Sequence, residues 1–316
     1  MQKILVTGGS GFIGSAIAER LILDSNNYVV IVDNLLTGNI GKLPNLPRTN
    51  WKFIRADINI YKDIAEIMFA YQFDYVFHYA ALVGVKRTLE NPVSVLHDID
   101  GIKNILDLSK NTGVKRIYYS SSSEIYGEPV EFPQNEYTTP LNSRLPYAIV
   151  KNVGEAFLRS YYQEFGLEYT IFRFFNTFGP KQSINFVISR FLQRALNNHD
   201  IAIYGDGTQT RTFCYIDDNI DATISTFLNN TCVNDVANIG GSDEMTILDL
   251  AKTIIKVTNS KSKIIHLPEL KEGDMKRRKP DTTKMKGLLN KAPISLEQGL
   301  KNILDIGLFE LNNFVS

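Results

Sequence analysis

Tyr147 and Lys151 stand four residues apart in the stretch YAIVK. On a helix that spacing puts both side chains on one face. A phenol is a poor acid–base group near neutral pH, with a reference pKa of about 10. A nearby ammonium stabilises the phenolate and lowers that value. A tyrosine tuned in this way can take a proton from a hydroxyl while a hydride leaves the adjoining carbon. The spacing alone is common on surface helices. It gains weight from YYSSSSEIYG at 118–127, where Ser120, Ser121, Ser122 and Ser123 precede Glu124. Hydroxyls and a carboxylate thus close a predicted strand upstream of the pair.

A departing hydride needs an acceptor, and TGGSGFIG near the start reads as the place for one. Gly8, Gly11 and Gly14 follow a predicted strand, and Phe12 and Ile13 open a predicted helix. A sharp turn, close backbone approach to a pyrophosphate and tight helix–strand packing each favour a residue without Cβ. The helix N-terminus then presents free N–H groups to phosphate. Asp33 ends the second strand 19 residues past Gly14, with Asn34 next to it. An acidic residue there accepts a hydrogen bond from a ribose 2′-hydroxyl and repels a 2′-phosphate, which favours NAD over NADP. Asp57, with Ile58 beside it, reads equally as an adenine contact or as a helix N-cap. Ala80 and Ala81 close the fourth strand, small enough for close cofactor approach or for tight helix packing.

These groups need a scaffold that brings strand ends together. Short apolar runs at 3–8, 28–33, 52–57, 75–80, 116–121 and 169–174 lack strict alternation, as expected of strands buried on both faces. Helical segments at 12–24, 61–71, 93–112 and 147–165 lie between them. That rhythm predicts an α/β fold, a doubly wound parallel sheet with right-handed crossovers. Beyond residue 176 it breaks: a polar turn, a helix near 185–198, a Gly-containing strand region at 201–218, a helix near 218–229, a strand at 235–241, a helix near 246–258 and a strand near 263–267. With no long linker, the second unit is expected to be woven into the first.

The 316 residues are 44% hydrophobic and 22% charged, which allows a large core and argues against disorder. Lys plus Arg and Asp plus Glu both number 34, so no overall basic field draws nucleic acid or a membrane surface. Cys214 and Cys232 are too few for a metal cluster or a disulfide framework. No metal site is expected. The first residues lack a signal-peptide pattern and no apolar run is long enough to span a membrane, so a cytoplasmic location is the expectation.

Taken together, TGGSGFIG, AALVGVKRTLENP, SSSEIYG, YAIVK, RFFNTFGP, YGDGTQTRTFCYIDD and RRKPD resemble the extended short-chain dehydrogenases/reductases, specifically their NAD-dependent nucleotide-sugar epimerase, dehydratase and decarboxylase group. The likeness spans essentially the whole chain. It implies a Rossmann-type NAD-binding domain from 1–175 plus about 215–241, and a smaller C-terminal α/β nucleotide-sugar domain from about 176–214 and 242–316. It implies that Ser122 holds the reacting sugar oxygen beside Tyr147, and that Ser123 and Glu124 line the same pocket. Lys151 would also bind the nicotinamide ribose. Asn176, Arg211 and Arg278 would meet the sugar diphosphate, with Arg277 a competitor for the last role. Tyr215 and Phe186 either flank the base or pack in the core. The helices at 93–112 and 147–165 are where relatives form homodimers. One departure stands out: relatives commonly carry Asn where HDIDG places Asp98.

The group's reactions share oxidation of the sugar at C4. Ser123, rather than Asp, before Glu124 argues against a 4,6-dehydratase. The GVKRT loop resembles 4-epimerases. The Ser-Glu pair and Arg144, three residues before Tyr147, resemble uronate decarboxylases. A UDP-sugar 4-epimerase is the first expectation, with a UDP-glucuronate decarboxylase second. A uronic-acid epimerase would combine both sets of features, with Lys86, Arg87 or Arg144 holding the carboxylate. A non-catalytic NAD sensor would be expected to lack Tyr147 or Lys151.

Overall fold

The structure is a computed structural model that describes residues 1–84, 88, 90–269 and 275–309. Its strands and helices divide into two compact units.

The first unit comprises Met1–Ile125, Ser143–Phe174 and Ile220–Ala237. Strands β1 (Gln2–Thr7), β2 (Asn27–Asp33), β3 (Trp51–Arg55), β4 (Tyr75–His78), β5 (Arg116–Ser122) and β6 (Glu168–Phe174) form the six predicted strands. They lie in the order β6-β5-β4-β1-β2-β3, each neighbouring pair parallel. Another strand, Asp235–Ile239, borders β6. Every residue of β5 is buried, as a parallel strand covered on both faces requires. Helices α1 (Phe12–Ile22), α2 (Tyr61–Tyr71), α3 (Pro92–Leu96), α4 (Asp98–Thr112) and α5 (Pro146–Phe165) make the crossovers. The predicted helix 93–112 is two helices meeting at His97. Connections run outward from β1 in both directions, so β1 and β4 flank the switch point where such folds bind ligands beyond the strand ends. The core behind it joins Leu5, Val30, Val76, Ile117 and Ile171 with Ile102 and Val150 from the helices.

The second unit comprises Tyr126–Asn142, Phe175–Asn219 and Asn238–Ser316. It holds three two-stranded pairings: Thr177–Phe178 with Cys214–Tyr215, Ile201–Tyr204 with Ile264–Leu267, and Thr210–Thr212 with Glu244–Thr246. Helix Ile247–Thr258 starts at a reciprocal cap, where Thr246 Oγ1 accepts from Asp249 N at 2.9 Å and donates to Asp249 Oδ2 at 2.7 Å. The segment Tyr126–Asn142 clusters here, although the sequence boundaries leave it within the first domain. Its backbone explains why. Gln134 donates from N to Lys279 O and accepts at O from Asp281 N, both at 2.8 Å, while Asn238 Nδ2 donates to Gln134 O at 2.9 Å.

Among the described residues, no helix is long and apolar enough to cross a membrane, and no group of three His, Cys, Asp or Glu side chains could hold a metal.

Candidate active site

The turn between β1 and α1 is shaped by two close approaches. Gly8 sits at φ +67°, and a Cβ there would lie 2.6 Å from Ala80 N at the end of β4. A Cβ on Gly14 would come within 2.2 Å of Gly8 O. A side chain at either position would therefore push α1 off the strand ends. Gly11 is the N-cap of α1; no side chain caps that terminus, and its first turn carries no acid. The N-terminal amides, including those of Phe12 and Ile13, thus meet no competing anion from their own helix.

Asp33, buried at the end of β2, accepts from Ser10 N at 3.0 Å and Leu35 N at 2.8 Å. Each carboxylate oxygen keeps a lone pair for a further donor. Asp57 is not a helix N-cap, because Ile60 occupies that position for α2. Its carboxylate instead accepts from Asn34 Nδ2 and Asn59 N, both at 2.9 Å, joining the loops after β2 and β3. Ile58 is buried beside it, while Ala80 and Ala81 are half-buried beyond β4.

The serine run divides its work by depth. Ser120 Oγ donates to His78 O at 3.2 Å, and Ser121 Oγ donates to Glu155 Oε1 at 2.7 Å, so both serve the scaffold. Ser122, the last residue of β5, accepts Glu124 N at 3.2 Å and hydrogen-bonds the Tyr147 phenol. Burial pushes that phenol well above the ordinary tyrosine range, and the charges of Glu124 and Asp98 push it further, against the bond from Ser122. Lys151 sits 5.8 Å from the Tyr147 ring centroid and donates to Ser120 O at 2.6 Å. Burial draws its ammonium down to about 8, with Asp98 opposing. Tyr147 and Lys151 share a helix face as their spacing predicts, yet the phenol is pushed up rather than down. The reason is that Lys151 spends its short hydrogen bond on a carbonyl of β5.

One turn further along the same face, Glu155 is fully buried. It accepts from Arg173 Nε at 2.9 Å and Arg173 Nη2 at 2.8 Å, and from Arg159 Nη2 at 3.0 Å. This cluster bolts α5 to β5 and β6 and so fixes where Tyr147 meets Ser122. Its signal in the sequence is that Glu155 lies four residues past Lys151. His78 and Tyr119, stacked with centroids 5.8 Å apart, back the ammonium, and Lys151 Nζ lies 5.1 Å from the Tyr119 ring. These two, together with Asn59, carried no motif that could have singled them out.

Arg144 is exposed just before α5. The N–H of its neighbour Ser143 donates to Ile125 O at 3.3 Å, which ties the Arg144 segment to the turn carrying Ser123 and Glu124. Lys86 and Arg87 lie outside the described residues.

In the second unit, a parallel bridge pairs Thr210 with Arg277. Arg211 and Arg278, each one residue beyond it, are both buried on adjacent segments. Arg277 is bound in a fork by Glu244, at 2.5 and 2.8 Å, and rests 4.2 Å from the centroid of the Phe132 ring. The rivalry for an anion-binding role therefore favours Arg278. Asn176, at φ +29°, donates from Nδ2 to Thr212 O at 3.0 Å, which leaves its Oδ1 outside that bond. Tyr215 is core, packed against Phe178 at 5.4 Å, whereas Phe186 is exposed.

The sequence model of the NAD dependent epimerase/dehydratase family matches residues 4–240. The chain belongs to that family. A UDP-N-acetyl-alpha-D-glucosaminuronate decarboxylase of Bacillus cytotoxicus is 36% identical, over 96% of this chain and 97% of its own. A putative UDP-glucose 4-epimerase of Methanocaldococcus jannaschii is 35% identical over 96% and 97% of the two chains. The crystal structure of a UDP-glucose 4-epimerase from Thermotoga maritima, with UDP-glucose, superposes with a TM-score of 0.91 at 32% identity and covers both chains fully.

As a member of the epimerase/dehydratase family the chain uses NAD. Its cradle fits that dinucleotide: a glycine turn that a Cβ would fill, an uncapped helix terminus, and Ser10 Oγ buried without a partner next to Asp33. An Asp33→Ala variant should lose roughly tenfold in preference for NADH over NADPH, the worth of one charge-assisted hydrogen bond. Fluorescence titration with both cofactors measures it, and an unchanged ratio would remove Asp33 from cofactor choice.

Proposed function

We propose that this chain is an NAD-dependent decarboxylase of a UDP-linked uronic acid, working through a transient C4 ketone. The observation that carries the reading is the exposed Arg144, held by the Ser143–Ile125 hydrogen bond against the Ser123–Glu124 turn, three residues before Tyr147. A guanidinium there suits a carboxylate. The likeness to a uronate decarboxylase supports the same choice.

Gly8, Gly11, Gly14 and the α1 terminus would hold the pyrophosphate of NAD, and Asp33 its adenosine ribose. Bound there, NAD supplies the two-electron oxidation of the sugar C4 carbinol to a ketone and its later reversal. Tyr147 takes the proton of the C4 hydroxyl and gives it back, while Ser122 holds the oxygen in line and Lys151 keeps a positive charge behind the phenol. With a ketone at C4, a C6 carboxylate is a β-keto acid: the C5–C6 bond breaks, CO2 departs, its electron pair moves to the C4 oxygen as an enolate, and a proton is added at C5. Arg211 and Arg278 would anchor the diphosphate, with Asn176 beside them.

A second reading, a 4-epimerase, keeps the same residues and needs only that the keto-sugar turn its other face before reduction. The GVKRT loop and the likeness to two 4-epimerases favour it. The two readings separate in one experiment. Purified protein is incubated with UDP-glucuronate, UDP-N-acetylglucosaminuronate, UDP-glucose and UDP-N-acetylglucosamine, and products are resolved by NMR. CO2 release with a shortened sugar from either uronate is expected. Inversion at C4 with the carbon count unchanged would replace decarboxylation by epimerisation.

A further inference from the structure

Asp98 heads α4 and lies outside every motif used above. Its Oδ2 accepts the N–H of Leu82, past the end of β4, at 2.7 Å, and it takes a side-chain hydrogen bond from Asn59. Asn59 N donates to Asp57 Oδ1, and Asp57 Oδ2 accepts from Asn34 Nδ2. Asn104, on α4, donates from Nδ2 to Ile58 O at 2.9 Å. A polar chain therefore runs Asn34–Asp57–Asn59–Asp98–Leu82, linking the loops that follow β2, β3 and β4. Both groups aimed at Asp98 donate, and a carboxylate, which only accepts, meets them without a leftover donor.

The second half of the observation is electrostatic. Lys151 is a buried ammonium whose short contact is a neutral carbonyl, Ser120 O. A buried charge needs an opposite charge within reach. Asp98 and Lys151 stabilise each other's charged forms. The other titratable groups around them do not supply that charge. His78 is buried, and burial followed by the Lys151 charge drives it down to about 3, so it is neutral. Tyr119 and Tyr147 are pushed up and stay phenols. Glu155 is taken by Arg173 and Arg159, Glu124 acts on Tyr147, and Asp57 acts on Asp98 itself.

We propose that Asp98 is a positioning residue: it holds the Lys151 ammonium charged and in place behind Tyr147, and through Leu82 and Asn59 it locks that charge to the loops that carry the cofactor. The proposal rests on the reading that Tyr147 and Lys151 carry the proton transfer at C4. It explains why an acid stands where an amide is common. Asn in this position would still accept from Leu82 but would leave Lys151 without its counter-charge.

The test reads Lys151 directly and needs no substrate. Protein grown with lysine labelled by carbon-13 at Cε is titrated by NMR from pH 6 to 11, with Lys151→Met assigning the resonance. Asp98→Asn should lower the Lys151 midpoint by about one pH unit, the lower end of what a neighbouring opposite charge contributes. Asn59→Ala disturbs the same hydrogen-bond chain but keeps the carboxylate, and should leave the midpoint where it is. If Asp98→Asn does not accumulate folded, Asp98→Ser, which keeps an acceptor for Leu82, carries the same expectation. The alkaline limb of the pH–rate profile should move down with the midpoint. An unmoved Lys151 midpoint in the Asp98 variant, or an equal shift in Asn59→Ala, overturns the proposal. A shifted midpoint with an unshifted pH–rate limb would leave Asp98 its hold on Lys151 and instead overturn the role of Lys151 in the reaction.

Discussion

Tyr147→Phe should lower turnover about 10³-fold, within the 10²–10⁴ that a positioned general acid–base group contributes, with NADH affinity and folded stability unchanged. The substitution deletes one oxygen and leaves the ring in its packing against the core. Ser122 loses its bond to the phenol but still accepts Glu124 N, so the turn at 123–126 has no reason to move. The glycine cradle and Asp33 sit on other elements, which is why cofactor affinity should persist. The phenol is pushed up by burial and then by Glu124 and Asp98, so it is protonated at neutral pH and stands ready to return a proton to the C4 oxygen. Taking a proton from the substrate is the harder direction and depends on the positive charge of Lys151. Turnover on whichever substrate the product assay identifies is the measurement, and activity within about tenfold of the parent would remove Tyr147 from the proton-transfer role.

Arg173→Met should cost about 3–5 kcal/mol of stability, because it strands a buried carboxylate. Glu155 is 0% exposed and Arg173 1%. Two of the hydrogen bonds that Glu155 receives come from Arg173, at 2.9 and 2.8 Å. Burial alone would push the Glu155 carboxyl up, but Arg173, Ser121 and Arg159 outweigh it and hold it below the ordinary glutamate range. The sign of the pH dependence follows. A depressed carboxylate contributes stability above its unfolded pKa of 4.5, and that contribution is lost as pH falls through the folded value. In the parent, stability should therefore drop on acidification below about pH 4.5, and this part of the drop should be missing in the variant. Replacing both partners, as in Glu155→Leu with Arg173→Met, should recover most of the loss, since an apolar pair of similar volume leaves no unpaired charge. Urea unfolding of the three variants measures the comparison; a single variant as stable as the parent would show that the pair is solvated rather than buried.

The fold was largely legible in the chain because parallel strands covered on both faces must be apolar throughout. Runs such as YVVIVD and RIYYSS meet that condition without ambiguity. The helix prediction at 61–71 matches α2 to the residue, while the helix expected across 93–112 divides at His97. The location of Tyr126–Asn142 was not legible. Its attachment to the second unit runs through backbone groups of Gln134 to Lys279 and Asp281, residues nearly 150 positions away, and hydrogen bonds made by the backbone leave no mark on side-chain pattern.

The candidate site divides in the same way. The sequence by itself determined which groups can do chemistry: Gly8, Gly11 and Gly14 for a dinucleotide, Asp33 for its ribose, and Tyr147 with Lys151 on one helix face. Those inferences follow from local spacing, and local spacing survives folding. Only the tertiary structure decided how the groups are charged and held. It turned Lys151 toward Ser120 O, raised the Tyr147 phenol instead of lowering it, assigned Arg277 to Glu244, and moved Asp57 from a helix cap into a chain that ends at Asp98. Burial and the charges of residues distant in sequence set these outcomes, and neither is encoded in the spacing of a motif.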